Sequence, residues 1–370
     1  MVFSRDDTKV IKGIAIILML YHHLFGFPER IAEDIMYFST FHVAGNTSAY
    51  LIGNFGQLCV SIFLLLGGYG TFLSCTKGTK LVQTLGRKIK GLYIAYWKVF
   101  VIFIPLCILL KVPRVSVSLA SMIGNFTGLR ITYCGEWWFF TTYVVLMVLY
   151  PAIHFLLQKS KRRWYVDVGV LAVLLLTMRY VVPKVDGYVI RHGLADGMIT
   201  GLVWKILHPT AMYFPVFFAG CIVAKYDIFS KIRNKLTNVY VSFTVSVLVL
   251  LAVFVCRIST GTVYDCFYAP AFVCAAYLLL SLPIFRFFYK ILLKIGTEST
   301  TIWLVHSIYC YLICQRIVFL PRYTVLIFLW LLLLSYATSV GLKNLYAYLS
   351  RVVKYVRKNR LAYAQTKRGR

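Results

Sequence analysis

Acidic residues are scarce in this chain. Asp and Glu together number 12 in 370 residues, and charged residues of both signs make up only 14%. A soluble domain usually carries about 25% charge, so an ordinary water-facing surface is excluded. Carboxylates inside the apolar segments are almost absent, which argues against proton-coupled transport, because such relays run through intramembrane acids. The sequence has no P-loop, no G-x-S-x-G, no H-E-x-x-H and no C-x-x-C, so these phosphate, acyl-serine and metal motifs give no foothold for a function. Ten Cys are present, nearly all in or beside apolar runs. Cys310 and Cys314 stand one helical turn apart, but no His or Cys cluster completes a metal site, and they read as buried small residues. No internal repeat and no inverted transporter repeat is apparent. No cleavable signal peptide stands out, because the first apolar run lacks a small-residue cleavage site.

What is abundant is apolar sequence. Hydrophobic residues make up 60% and mean hydropathy is +0.76. A bilayer demands such an excess, with about 20 apolar residues for every span. Ten apolar segments are expected, at about 10–27, 51–74, 91–111, 137–158, 165–183, 210–226, 237–257, 264–285, 298–319 and 323–345. The fold class is therefore all-α, a polytopic membrane protein of about ten transmembrane helices. The mixed stretch Lys184–Pro209 has room for a short interfacial helix. Residues 1–345 form the membrane domain, and 346–370 form a basic tail that reads either as an amphipathic helix on the inner leaflet or as a disordered segment.

The net charge is +28, from 40 Lys and Arg. Such a balance suits nucleic acid, but here the basic residues cluster in short segments between apolar runs. With the N-terminus inside and the segments alternating, inner segments hold 28 Lys and Arg and outer segments 11. That asymmetry predicts both termini in the cytoplasm. The partners it implies are anionic membrane lipids, not nucleic acid.

Ionisable groups inside spans are costly and are functional candidates by default. The first span reads KGIAIILMLYHHLFGF, with Lys12 at its inner mouth and His23 eleven residues on, roughly 16 Å deeper at helical rise. His22 points about 100° away and cannot share its role. An imidazole titrates near neutral pH and suits a general base. His306, in TTIWLVHSIY, reaches roughly 10 Å into the ninth span, so the two His approach one level. Each reads equally as a structural His between helices. Arg87, Lys88 and Lys90 precede the third span. They fit a phosphate-bearing donor, or are plain positive-inside charge. Glu136 beside Trp137 and Trp138 reads as an interface anchor or as a sugar platform. Gly67 and Gly68 suggest close helix packing.

Taken together these features resemble the acyltransferase 3 family, integral-membrane enzymes that O-acylate polysaccharides, lipopolysaccharide and related glycans. The family's basic residue, ten intervening residues and His correspond to Lys12 and His23, with Lys in place of the usual Arg. A phrase like F-F-x-S-G-Y corresponds to Ile62–Tyr69, with Gly67 in the Ser place. R-x-x-R corresponds to Arg87 and Lys90, again with one Lys for Arg. W-F-x-x-x-Y corresponds to Trp138, Phe139 and Tyr143, and P-x-F-x-x-G to Pro215, Phe217 and Gly220. The closing G-x-x-S-x-x-x-Y-L-x-H corresponds to Gly296, Ser299, Leu304 and His306, with Trp303 in the Tyr place. Motif order is kept along nearly the whole chain.

The resemblance implies a plasma (inner) membrane, multi-pass O-acyltransferase. It takes an acyl group from cytoplasmic acyl-CoA, usually acetyl-CoA, to a hydroxyl of a cell-surface or lipid-linked glycan, with the CoA thioester as co-substrate and no bound cofactor or metal. The catalytic candidates are His23 and His306. Donor binding falls to Lys12, Arg87 and Lys90, and acceptor binding to Glu136, Trp138 and Tyr143. Two readings from other classes stay open: a transporter or flippase for a glycan or lipid, which moves its substrate without covalent change, and a non-enzymatic sensor or scaffold.

Overall fold

The computed structural model describes residues 3–39, 41–43, 45–76, 80–159 and 163–368. Lys77, Lys161 and Arg162 of the predicted inner segments, and the last two residues of the basic tail, lie outside the described residues.

Several helices begin where the sequence supplies a side-chain cap. Helix α1 (Arg5–Phe25) starts at a capping box, in which the Asp7 amide donates to Ser4 Oγ and the Ser4 amide donates to the Asp7 carboxylate. Thr47, Ser118 and Asn238 cap α2 (Ser48–Gly56), α5 (Leu119–Phe126) and α11 (Val239–Thr260), each side chain accepting from a first-turn amide. Between α2 and α5 come α3 (Leu58–Cys75) and α4 (Leu81–Leu109). After α5 the chain runs through α6 (Trp138–Lys159), α7 (Trp164–Leu176), α8 (Val182–Arg191), α9 (Met198–Lys225) and α10 (Ile228–Lys235). Beyond α11 lie α12 (Asp265–Leu280), α13 (Arg286–Thr297), α14 (Ser299–Ser307), α15 (Gln315–Phe319) and α16 (Thr324–Arg368).

Among the described residues, eight helical stretches are long and apolar enough to cross a membrane. A ninth arises if α12 and α13 are counted as one span, although they meet at 92°. The cause is local: Pro283 stands two residues after Ser281, the C-cap of α12, and a proline cannot continue the preceding helix. The predicted segment 298–319 is a shorter apolar helix, Ser299–Ile313, followed by α15. The expected interfacial stretch 184–209 is mostly an extension of its neighbours. A π-helical turn at Thr177–Val181 joins α7 to α8, and α9 begins at Met198, well before the predicted 210. The basic tail continues α16 with no break at 345.

Packing is set by small residues. The backbones of α1 and α13 touch at Gly13 and Gly296, where a Cβ would collide with the carbonyls of Leu292 and Lys9. Gly68 and Gly220 do the same for α3 and α9, against the carbonyls of Phe217 and Leu65. By contrast α11 and α16 present rows of exposed Leu, Val and Phe, as lipid-facing helices do.

The predicted inner and outer segments separate into two ends. At one end Phe3 packs on Tyr69, Phe229 and Tyr277, Tyr289 donates to Asp7, Lys225 pairs with Asp167, and Lys343 pairs with Glu298. At the other end Arg30 pairs with Glu136 and Arg316 with Asp34, and Gln315 donates to the Arg30 carbonyl. Near this second end Arg257 and Asp265 form a buried ion pair that also receives Ser61 and reaches the Asn54 carbonyl.

Candidate functional site

The last turns of α1 build the centre. His22 is buried, and its Nδ1 donates to the Gly53 carbonyl at 2.8 Å. Gly53 and Gly56 let α2 approach this closely, since side chains there would strike the backbone of α1. With His22 occupied in helix packing, His23 faces the interior. Its ring centroid lies 4.9 Å from that of His306. Tyr311 Oη donates to the His23 carbonyl at 2.5 Å and stands 3.4 Å from its Nδ1.

His306 is fully buried on α14. Its Nδ1 donates to the Trp303 carbonyl at 2.6 Å. That bond assigns the tautomer: a neutral His306 carries a lone pair on Nε2, and this atom has no hydrogen-bond partner among the described residues. Directly after α14 the helix widens into a π-helical turn, Ile308–Ile313. Such turns are frequent at functional sites. This one carries Tyr311 to His23.

The opposite wall is the turn Gly135–Trp137 that opens α6. Glu136 is 8% exposed and accepts from Arg30 Nη1 at 3.0 Å. Trp137 Nε1 donates to the Leu304 carbonyl, and Cys134 Sγ lies 3.0 Å from Ser307 Oγ, so this wall is tied to α14. Arg30 itself lies over the rings of Phe27 and Tyr311, at 4.0 and 5.5 Å from their centroids.

Two cavities meet here. The inner one, about 390 Å³, runs from Thr8, Lys12 and Lys88 to His23, Glu136 and Trp138. The outer one, about 830 Å³, is bordered by His23, Arg30, Gln57, Tyr213, Tyr311 and Gln315. His23, Val60, Glu136 and Trp138 line both.

Of the residues singled out from sequence, His23, His306, Glu136 and Trp138 therefore come together, and Lys12 lies at the far end of the inner cavity. Arg87 and Lys90 do not line that cavity. They sit on the exposed face of α4, where Arg87 donates to Thr84 Oγ1. Lys88 points inward instead, because it stands about 100° around the helix from Arg87. Tyr143 lines the inner cavity beside Gly67, not the outer one. Five residues of helix carry it about 7.5 Å inward from Trp138. Arg30 and Tyr311 carried no signal in the sequence: one is a loop Arg, the other one of 27 Tyr. Lys88 was visible only as one of three adjacent cations.

Residues 7–343 match a family model described as an acyltransferase domain. No curated protein and no solved structure matches the sequence.

Proposed function

The chain belongs to the acyltransferase 3 family of membrane acyltransferases, and from that premise we propose that it moves an acetyl group from cytoplasmic acetyl-CoA to a hydroxyl of a cell-surface or lipid-linked glycan. The observation that carries this reading is the position of His23. It stands where a cavity opening among lysines meets a second cavity opening at the other end of the bundle.

In this reading both termini are cytoplasmic and the membrane is the plasma (inner) membrane, as the basic inner segments favour. The phosphates of the donor meet Lys12 and Lys88, with Arg87 and Lys90 beside the mouth. The acyl thioester extends past Gly67 and Tyr143 to His23. An acceptor hydroxyl reaches His23 from the outer cavity, past Trp138. The hydroxyl oxygen attacks the thioester carbonyl carbon as His23 takes its proton, the C–S bond breaks, and the CoA thiolate recovers the proton from the imidazolium. The ring of His306, whose Nε2 has no hydrogen-bond partner among the described residues, stands 4.9 Å from the ring that becomes cationic and can serve as a fixed acceptor beside the charge. Glu136, held by Arg30, orients the acceptor or the imidazole from the opposite wall.

The test is acetyl-CoA binding and hydrolysis by the detergent-purified protein, with water standing in for the glycan, beside His23→Ala. Binding retained and hydrolysis lost in that variant supports the reading. Full hydrolysis in His23→Ala removes the central residue. No binding to folded wild-type protein removes the donor. No observation favours the transporter, flippase or scaffold readings.

A further inference from the structure

A third cavity, about 730 Å³, flanks the outer one. The two share Ile131, Thr132, Gly135 and Trp138 in their linings, so they are adjoining compartments of a groove, and His23 lines the outer one. Each compartment alone has the size of a small-molecule site. A single sugar ring would leave most of the groove empty.

The third compartment is formed by the early start of α9. Residues 198–209 carry the helix about 18 Å beyond the predicted apolar segment, and their inner face closes over the chain at 129–141. Trp204 lines it with its ring braced on two sides. Its Nε1 donates to Asp186 at 3.0 Å, and its centroid lies 5.2 Å from that of His208. Trp138 closes the other end of the same compartment and stacks on Tyr213. Aromatic rings lining a groove of mixed polarity suit the apolar faces of sugar rings.

Charge narrows the class further. Arg130 and Lys205 border this compartment and Arg30 and Arg114 border the outer one. The acids present are Asp196, and Glu136, which Arg30 already occupies. Neither Arg130 nor Lys205 is in an ion pair among the described residues. We infer that this compartment is a second acceptor subsite that holds an anionic part of a multi-ring glycan, while the hydroxyl to be acylated lies at His23. The anion is a carboxylate or phosphate on the sugar, or the diphosphate of a lipid carrier. This inference rests on the acyl-transfer reading above for its orientation.

The experiment is calorimetric binding to full-length detergent-purified protein, as wild type, R130Q/K205Q and W204A, of three probes: maltotriose, trigalacturonate and a polyprenyl diphosphate. Acetyl-CoA hydrolysis is measured on the same samples. An anionic probe should bind about tenfold more tightly than maltotriose, the scale of one charge-assisted contact. That preference should vanish in R130Q/K205Q, W204A should weaken the saccharides, and hydrolysis should be unchanged in both variants. Preference for trigalacturonate puts the anion on the sugar; preference for the polyprenyl diphosphate puts it on the carrier. Equal or absent binding of the three probes overturns the subsite, as does a preference that survives in R130Q/K205Q. Hydrolysis lost in both variants overturns it as well, by showing that these residues serve the fold. A wild-type protein that does not hydrolyse acetyl-CoA defeats the parent reading instead, while the probe binding still decides the subsite.

Discussion

The ring of His306 lies 4.9 Å from that of His23, and the Nδ1 of His306 is spent on the Trp303 carbonyl. The pair is thus asymmetric. His23 faces both cavities, whereas His306 is buried behind it with one free lone pair. Different losses follow from the two positions. His23→Ala should lower acetyl transfer by about two to four orders of magnitude, the usual weight of a positioned proton carrier. His306→Asn keeps a donor for the Trp303 carbonyl but lacks the distal lone pair, and should cost about tenfold to a hundredfold with the fold intact. Rates of acetyl-CoA hydrolysis, read beside thermal unfolding of each variant, check both; equal losses would make the two His one unit.

Tyr311 positions His23 from the wall of the outer cavity. Its hydroxyl donates to the His23 carbonyl and lies near Nδ1. Tyr311→Phe removes one hydrogen bond, worth about 1 kcal/mol, and leaves the ring that Arg30 covers. The expected outcome is a several-fold fall in kcat with KM for acetyl-CoA unchanged, and a shifted pH profile. A changed KM with constant kcat would place Tyr311 in donor binding.

Much of this was legible in the sequence. The apolar runs announced a helical membrane protein and the basic segments its two ends, because both are cumulative signals over many residues, although the ten predicted runs became eight long helices, or nine counting the bent pair, among the described residues. Depth along a helix placed both His23 and His306 well inside the membrane, since helical rise is fixed, and packing then brought their rings together. What stayed hidden depends on helix rotation and on breaks. Lys88 and Arg87 are neighbours in sequence but point into and out of the inner cavity. Tyr311 reaches His23 through a π-helical turn that an ideal helix does not contain. Arg30 joins the site through Glu136 and the ring of Tyr311, both far along the chain. The bend between α12 and α13 had a visible cause in Pro283, yet the run 264–285 was read across it.

The inner cavity separates the roles of its cations. Lys12 and Lys88 line it, and neither is in an ion pair among the described residues, so an anionic donor is the partner their charge suits. Lys88→Met should raise KM for acetyl-CoA about tenfold or more, in line with roughly 1.5–3 kcal/mol for a charge-assisted hydrogen bond, with a smaller change in kcat. Arg87→Ala, on the exposed face, should raise KM less, and its effect should fade with added salt. Steady-state kinetics at two ionic strengths decide this; a larger effect at Arg87 would return the donor phosphates to the α4 surface.

The ion pair of Arg257 and Asp265 tests what holds the outer end together. The two side chains are 2% and 1% exposed, joined at 3.0 Å, and shared with Ser61 and the Asn54 carbonyl. Removing one partner leaves a buried charge unpaired, a loss of about 3–5 kcal/mol. Arg257→Ala should therefore unfold well below the wild type in detergent, and Asp265→Ala should do the same. Replacing both with apolar residues of similar size, R257M/D265L, removes the stranded charge and should recover most of the stability. Thermal unfolding of the three variants measures this directly. A double variant as unstable as the sum of the singles would mean that the hydrogen bonds to Ser61 and to the Asn54 carbonyl, not the charge pairing, hold the break between α2 and α3 against α11 and α12.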